Sequence, residues 1–72
     1  MNRINGWEVY LKIKELSKNE VGTKIHIGDV IRELGISKEL ANEYLRALAI
    51  LEFIRFTDGT KETFVITDLG IG

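Results

Sequence analysis

Apolar residues recur every three or four positions in some stretches of this chain and alternate with polar ones in others. That switching sets out the elements. The clearest pattern covers residues 37–51, SKELANEYLRALAIL, in which Leu40, Ala41, Tyr44, Leu45, Leu48 and Leu51 fall on one helical face. The other face carries Lys38, Glu39, Asn42, Glu43, Arg46 and Ala49. Ser37 supplies a start signal, because its hydroxyl can accept a backbone N–H of the first turn. Val30, Ile31 and Leu34 form a shorter helical stripe just upstream, and Gly35 and Ile36 make the break between the two. The pattern therefore predicts a helix, a tight glycine-containing turn and a second helix.

Further upstream, Asn5 and Glu8 are spaced as a capping box, with Ile4 set to staple against Val9. A first helix is expected from Gly6 to about Lys18, burying Val9, Ile13 and Leu16 on one stripe. Trp7 and Leu11 lie off that stripe and are expected to cover the edge of the core. Residues 23–27 alternate as a short half-buried strand pointing Ile25 and Ile27 inward and His26 outward, and Gly28 and Asp29 then open the helix that ends near Leu34. His26 reads as a solvated surface residue. Downstream, residues 53–57 and 63–67 are rich in aromatic and β-branched side chains around Asp58-Gly59, which predicts a β-hairpin. A two-residue turn would set Phe56 opposite Lys61. A loop over 58–62 instead pairs Phe56 with Phe64 and Ile54 with Ile66, keeping like with like, and leaves Thr60 and Lys61 at a mobile tip.

Composition narrows the class. Seventy-two residues, 44% of them hydrophobic and none of them proline or cysteine, suit one domain spanning residues 1–72 with a single core. Without cysteine, and with one histidine, disulfides and thiolate or histidine-cluster metal sites are excluded. There is no Gly-rich phosphate loop, no nucleophile paired with a base and no cofactor motif, so an enzyme is not expected. No apolar run approaches the ~20 residues that cross a bilayer, and no leader pattern precedes the first helix, so a cytoplasmic location is expected. The net charge of −1 is spread evenly, which argues against an indiscriminate nucleic-acid binder and makes any basic surface local.

In order of elements, α, β, α, α, β, β, the chain resembles the winged helix-turn-helix regulators, especially the small archaeal and bacterial type. The resemblance is carried by DVIRELGIS at 29–37, by Tyr44-Leu45 followed by Leu48, by Phe53-Ile54, by the Asp58-Gly59 tip, and by FVIT at 64–67 running into Asp68-Leu69-Gly70. It implies an α+β fold of three helices, a short first strand and a C-terminal two-stranded wing. It also implies double-stranded DNA as partner, with the helix at 37–51 in the major groove and the 53–67 hairpin as wing. The implied contacts are Ser37, Lys38, Glu39, Asn42, Glu43 and Arg46 on the helix, and Arg55, Thr60 and Lys61 on the wing. Two departures stand out: Glu52 occupies a position where the family often has glycine, and the extra C-terminal helix through which many such regulators dimerise is not expected here.

Arg46 can donate two hydrogen bonds to a guanine edge and Asn42 can do likewise to adenine, while Lys38 suits phosphate. Lys24 and Arg32 are further candidates for phosphate. Against this, Glu43 can pair with Arg46, and Glu39 and Glu43 repel phosphate, though a carboxylate can also accept from cytosine. The competing expectation is a protein-interaction module using Trp7, Leu11, Ala49 and Ile50. A domain this small reads a short stretch of duplex, so a homodimer through the first helix, with Trp7 and Leu11, is expected. Leu45 sits in the middle of the apolar stripe. Leu45→Ala is therefore expected to destabilise the fold by about 2 to 5 kcal/mol, as read by chemical denaturation.

Overall fold

The first helix begins where the sequence places it, because Asn5 and Glu8 close the capping box reciprocally. Glu8 N donates to Asn5 Oδ1 at 2.9 Å and Asn5 N donates to Glu8 Oε2 at 3.1 Å. In the computed structural model, which describes residues 5–72, this helix is α1 (Gly6–Ser17). The staple from Ile4 lies outside the described residues. The elements that follow are β1 (Lys24–His26), α2 (Ile27–Leu34), α3 (Lys38–Ile50), β2 (Ile54–Phe56), β3 (Thr63–Ile66) and α4 (Asp68–Ile71).

Local chemistry explains each boundary. The α2 helix starts one residue earlier than Gly28, since His26 Nδ1 accepts from Gly28 N at 2.9 Å and caps it. His26 is thus exposed, as expected, but holds a helix end as well. Gly35 then adopts a left-handed φ of 63° that stops α2, and Ser37 Oγ accepts from Leu40 N at 3.1 Å to start α3. The hairpin takes the longer loop. Ile54 faces Ile66 and Phe56 faces Phe64 across it, with Thr57 N donating to Thr63 O at 3.0 Å beyond the last pair.

The first strand joins the hairpin. β3 lies between β1 and β2, both antiparallel to it, so the sheet is three-stranded with order β1-β3-β2. Its inner face sets Ile25, Phe64, Ile54 and Ile66 against the helices, where they meet Val9, Ile13, Ile27, Val30, Ala41, Leu45 and Leu48. Leu16, Ile31 and Leu34, expected in this core, are only partly buried against it. Phe64, which is fully buried, takes the larger share because it points from the central strand, flanked by β1 and β2, toward the helices. The fold is therefore a small α+β domain. Among the described residues no helix is long and apolar enough to cross a membrane.

Two features depart from expectation. The first is the end of α3, which closes as a Schellman motif on a non-glycine residue. Glu52 takes φ 66°, Glu52 N donates to Ala49 O at 3.0 Å, and Phe53 N reaches back to Leu48 O at 2.9 Å. The second is α4, a single helical turn that was not expected. Thr67 Oγ1 accepts from Gly70 N at 3.2 Å to cap it, and the Tyr10 hydroxyl donates to Gly70 O. A Cβ on Gly70 would collide with the carbonyl oxygen of Phe53. Glu52→Gly removes left-handed strain and is expected to stabilise the fold by about 0.5 to 1 kcal/mol. Gly70→Ala is expected to destabilise it by about 1 to 3 kcal/mol. Denaturant midpoints of the two variants should therefore move in opposite directions.

Candidate nucleic-acid interface

With Ala41, Leu45 and Leu48 buried, the helical period divides the rest of α3 into a solvent ridge and two flanks. The ridge carries Glu39, Glu43, Arg46 and Ile50, all exposed. Lys38, Asn42 and Ala49 lie on the flank toward the hairpin, where Ala49 shares a surface depression with Ile54 and Arg55. Leu40, Tyr44, Ala47 and Leu51 lie on the flank toward α1, where three of them line a groove with Trp7, Tyr10 and Phe53. The surface expected for protein contact is thereby split: Ala49 sits partly buried on the hairpin side, away from Trp7 and Leu11 on α1.

Among the described residues, ion pairs engage Lys12 of α1 and Arg32 of α2 but no cation on α3 or the hairpin. Lys12 pairs with Glu15 at 3.0 Å and lies 3.8 Å from Glu33, which together hold its ammonium above the usual lysine range, the Glu15 hydrogen bond foremost. Arg32 Nη2 donates to Asp29 Oδ1 at 2.7 Å, so its guanidinium, though still largely exposed, is partly engaged within α2. The alternative pairing of Glu43 with Arg46 does not form, and Lys38, Arg46, Arg55 and Lys61 make no ion pair among the described residues. Ser37 uses its oxygen as acceptor in the helix cap.

The hairpin contributes from two places. Arg55 points to the outer face of the sheet, in register with Val65, and Val65 is in turn in register with Lys24 of β1. Lys24 thus joins Arg55 across the sheet. Thr60 and Lys61 sit in the 58–62 loop, as expected, yet the tip is tied down. Asp58 Oδ1 accepts from Thr60 Oγ1 at 2.8 Å and from Lys61 N at 3.2 Å, while Lys61 takes a left-handed φ of 59°. In the sequence Asp58 reads only as a turn former; its ordering of Thr60 and Lys61 is visible only in the folded loop.

Trp7 and Leu11 do not cover the core's edge. They are 64% and 45% exposed: Tyr10 fills the space between α1 and the α3–β2 junction beside Trp7, its ring centroid 5.4 Å from Phe53 and 5.2 Å from Trp7, and Leu11 falls on the side of α1 opposite the buried Val9 and Ile13. Among the described residues no group of three or more His, Asp or Glu side chains is arranged to hold a metal ion. Comparison with protein-family models, curated proteins and solved structures finds no match to this chain.

The Asp58 carboxyl lies below the usual range, chiefly through the Thr60 hydroxyl, then the Lys61 and Thr60 backbone N–H groups and the charge of Lys24. A lowered folded value means that its contribution to loop order is fully present above the ordinary carboxylate value and is lost as pH falls through the folded one. Amide relaxation at Thr60 and Lys61 should therefore report a loop that stays ordered down to about pH 4 and loosens below it. Asp58→Ala should show the loosened loop at neutral pH.

Proposed function

We propose that this chain is a sequence-specific double-stranded DNA-binding protein of winged helix-turn-helix type, a cytoplasmic transcriptional regulator with α3 as the helix in the major groove and the β2–β3 hairpin as wing. The observation that carries this reading is Arg46. Its guanidinium stands on the exposed ridge of α3 without the Glu43 pair that would have neutralised it, so a fork of donors remains open to a guanine edge. Asn42 lies one turn nearer the start of α3, suited to adenine, and Lys38 flanks the helix start, suited to phosphate. Arg55, Thr60 and Lys61 serve the backbone from the hairpin, with Lys24 beside them. The element order and the β1-β3-β2 sheet support the same reading. In it the chain acts as a homodimer with α1 between the copies, since two α3 helices double the base pairs read.

A second reading, a winged-helix protein-interaction module without DNA binding, is favoured by one observation: the groove beside Trp7 is lined by apolar and aromatic residues and faces solvent. Salt-titrated binding to random and genomic duplexes separates the two. With three or four phosphate contacts per protomer, the log-log slope should be near −3 to −4, and about twice that for a dimer. Arg46→Ala should weaken preferred DNA by roughly 1 to 3 kcal/mol and random DNA far less, whereas Lys61→Ala should weaken both alike. If neither substitution alters DNA affinity and Trp7→Ala abolishes capture of a protein partner, the interaction module replaces the regulator.

A further inference from the structure

We propose that the groove between α1 and α3 is the seat of a second copy of this chain, and that Glu43 serves this contact rather than DNA. The idea deepens the dimeric reading above and rests on it, but it assigns a different surface: both flanking helices and their charges, not α1 alone. The groove is lined by Trp7, Tyr10, Tyr44, Ala47, Leu51 and Phe53 among others, and none of its lining residues among those described carries a charge. Trp7 and Leu51 are 64% and 56% exposed, although Leu51 belongs by sequence to the buried stripe of α3. Exposed apolar and aromatic side chains set side by side in this way suit a contact surface.

The ends of the groove identify the occupant. At one end it runs, through the shared residues Tyr44 and Ala47, into a depression bordered by Leu40 and Glu43. At the other end the Lys14 ammonium lies 5.6 Å from the centroid of the Tyr10 ring. Neither Glu43 nor Lys14 makes an ion pair among the described residues. An apolar strip with a carboxylate at one end and an ammonium at the other is self-complementary: a two-fold axis through its middle lays Lys14 of each copy toward Glu43 of the other and Trp7 and Leu51 into the shared centre. An unrelated partner would need to reproduce this charge order. A second copy carries it by symmetry.

The same arrangement accounts for the acidic character of α3. Glu39 and Glu43, four residues apart on one helix, repel each other and repel phosphate. An ammonium arriving from the other copy offsets both effects. Lys38, Asn42 and Arg46 lie around the helix on the side away from the groove and stay open.

Sedimentation of the full chain over a wide concentration range, without DNA, tests the proposal directly. The unmodified chain should self-associate, and Lys14→Glu and Glu43→Lys should each weaken the dimer about tenfold or more. The double variant should recover most of that loss, because it restores the pairing with the signs exchanged. Glu43 is exposed and Lys14 partly buried, and circular dichroism of each variant checks that it folds. Trp7→Ala should abolish association, and Glu43→Gln should weaken the dimer without lowering the affinity for a DNA half-site, since it removes a charge that repels phosphate. A chain that is monomeric at every concentration, a double variant no better than the single ones, or a half-site affinity lost in Glu43→Gln each overturns the proposal. Charge-exchange rescue without any DNA binding would leave this contact standing and remove the regulator; specific DNA binding by a monomer would do the reverse.

Discussion

The arrangement of this domain depends on how the chain leaves α3, and Phe53 is where that exit is fixed. Its N–H donates to Leu48 O at 2.9 Å, its carbonyl accepts from Thr67 N at 3.0 Å, and its ring packs on Tyr10. One residue thus joins α3, α1 and the stretch between β3 and α4. Glu52 enters the left-handed region just before it, a conformation that costs an L-residue about 1 to 2 kcal/mol. The single turn of α4 then closes over the junction, with Gly70 pressed against the Phe53 carbonyl and held by the Tyr10 hydroxyl. Because the angle between α3 and the hairpin is set here, so is the relation between Arg46 on the helix and Arg55 and Lys61 on the hairpin.

Around that frame the polar groups sort by whether the fold needs them. Ser17 is the buried polar residue among those described, and its hydroxyl donates to Lys14 O at 2.8 Å. Buried side-chain nitrogens and oxygens among the described residues all have partners. Capping takes Asn5, His26, Ser37 and Thr67, and the helix-to-helix and within-helix ion pairs take Lys12 and Arg32. Among the described residues, the cations with no such duty include Lys38 and Arg46 on α3, Lys24 and Arg55 on the sheet's outer face and Lys61 in the hairpin loop, together with Lys14 and Lys18 at the end of α1. The proposed division of α3, one flank for a nucleic acid and the other for a second copy, follows from that sorting and from the apolar groove beside α1.

Much of the fold was legible because its signals are local. The capping box of Asn5 and Glu8, the stop at Gly35 and the cap at Ser37 involve residues within a few positions of each other. The hairpin register was legible too, since only the longer loop sets Ile54 against Ile66 and Phe56 against Phe64. His26 was read by alternation as solvated, and its capping role went unseen because a ring nitrogen accepting from Gly28 N leaves no trace in a polar/apolar pattern. The candidate site was legible as a set of residue types on one helix face, but not as a set of partners. That Glu43 and Arg46 stay apart, and that Asp58 holds Thr60 and Lys61, are matters of side-chain geometry that spacing alone does not fix.

By itself, then, the sequence determined the elements up to β3, the caps at Asn5 and Ser37, the stop at Gly35, the pairing of the hairpin and which side of α3 is buried, because each follows from period, turn chemistry or matching across a few residues. Only the tertiary structure decided where β1 pairs, that Phe64 and not Leu16 fills the centre, and that Leu51 and Trp7 end in solvent. Those outcomes depend on which distant segments compete for the same space. Tyr10 occupies the gap that Trp7 would otherwise cover, and α4 folds back over Phe53 from the other end of the chain. No periodicity within a helix records a competitor contributed from elsewhere in the chain.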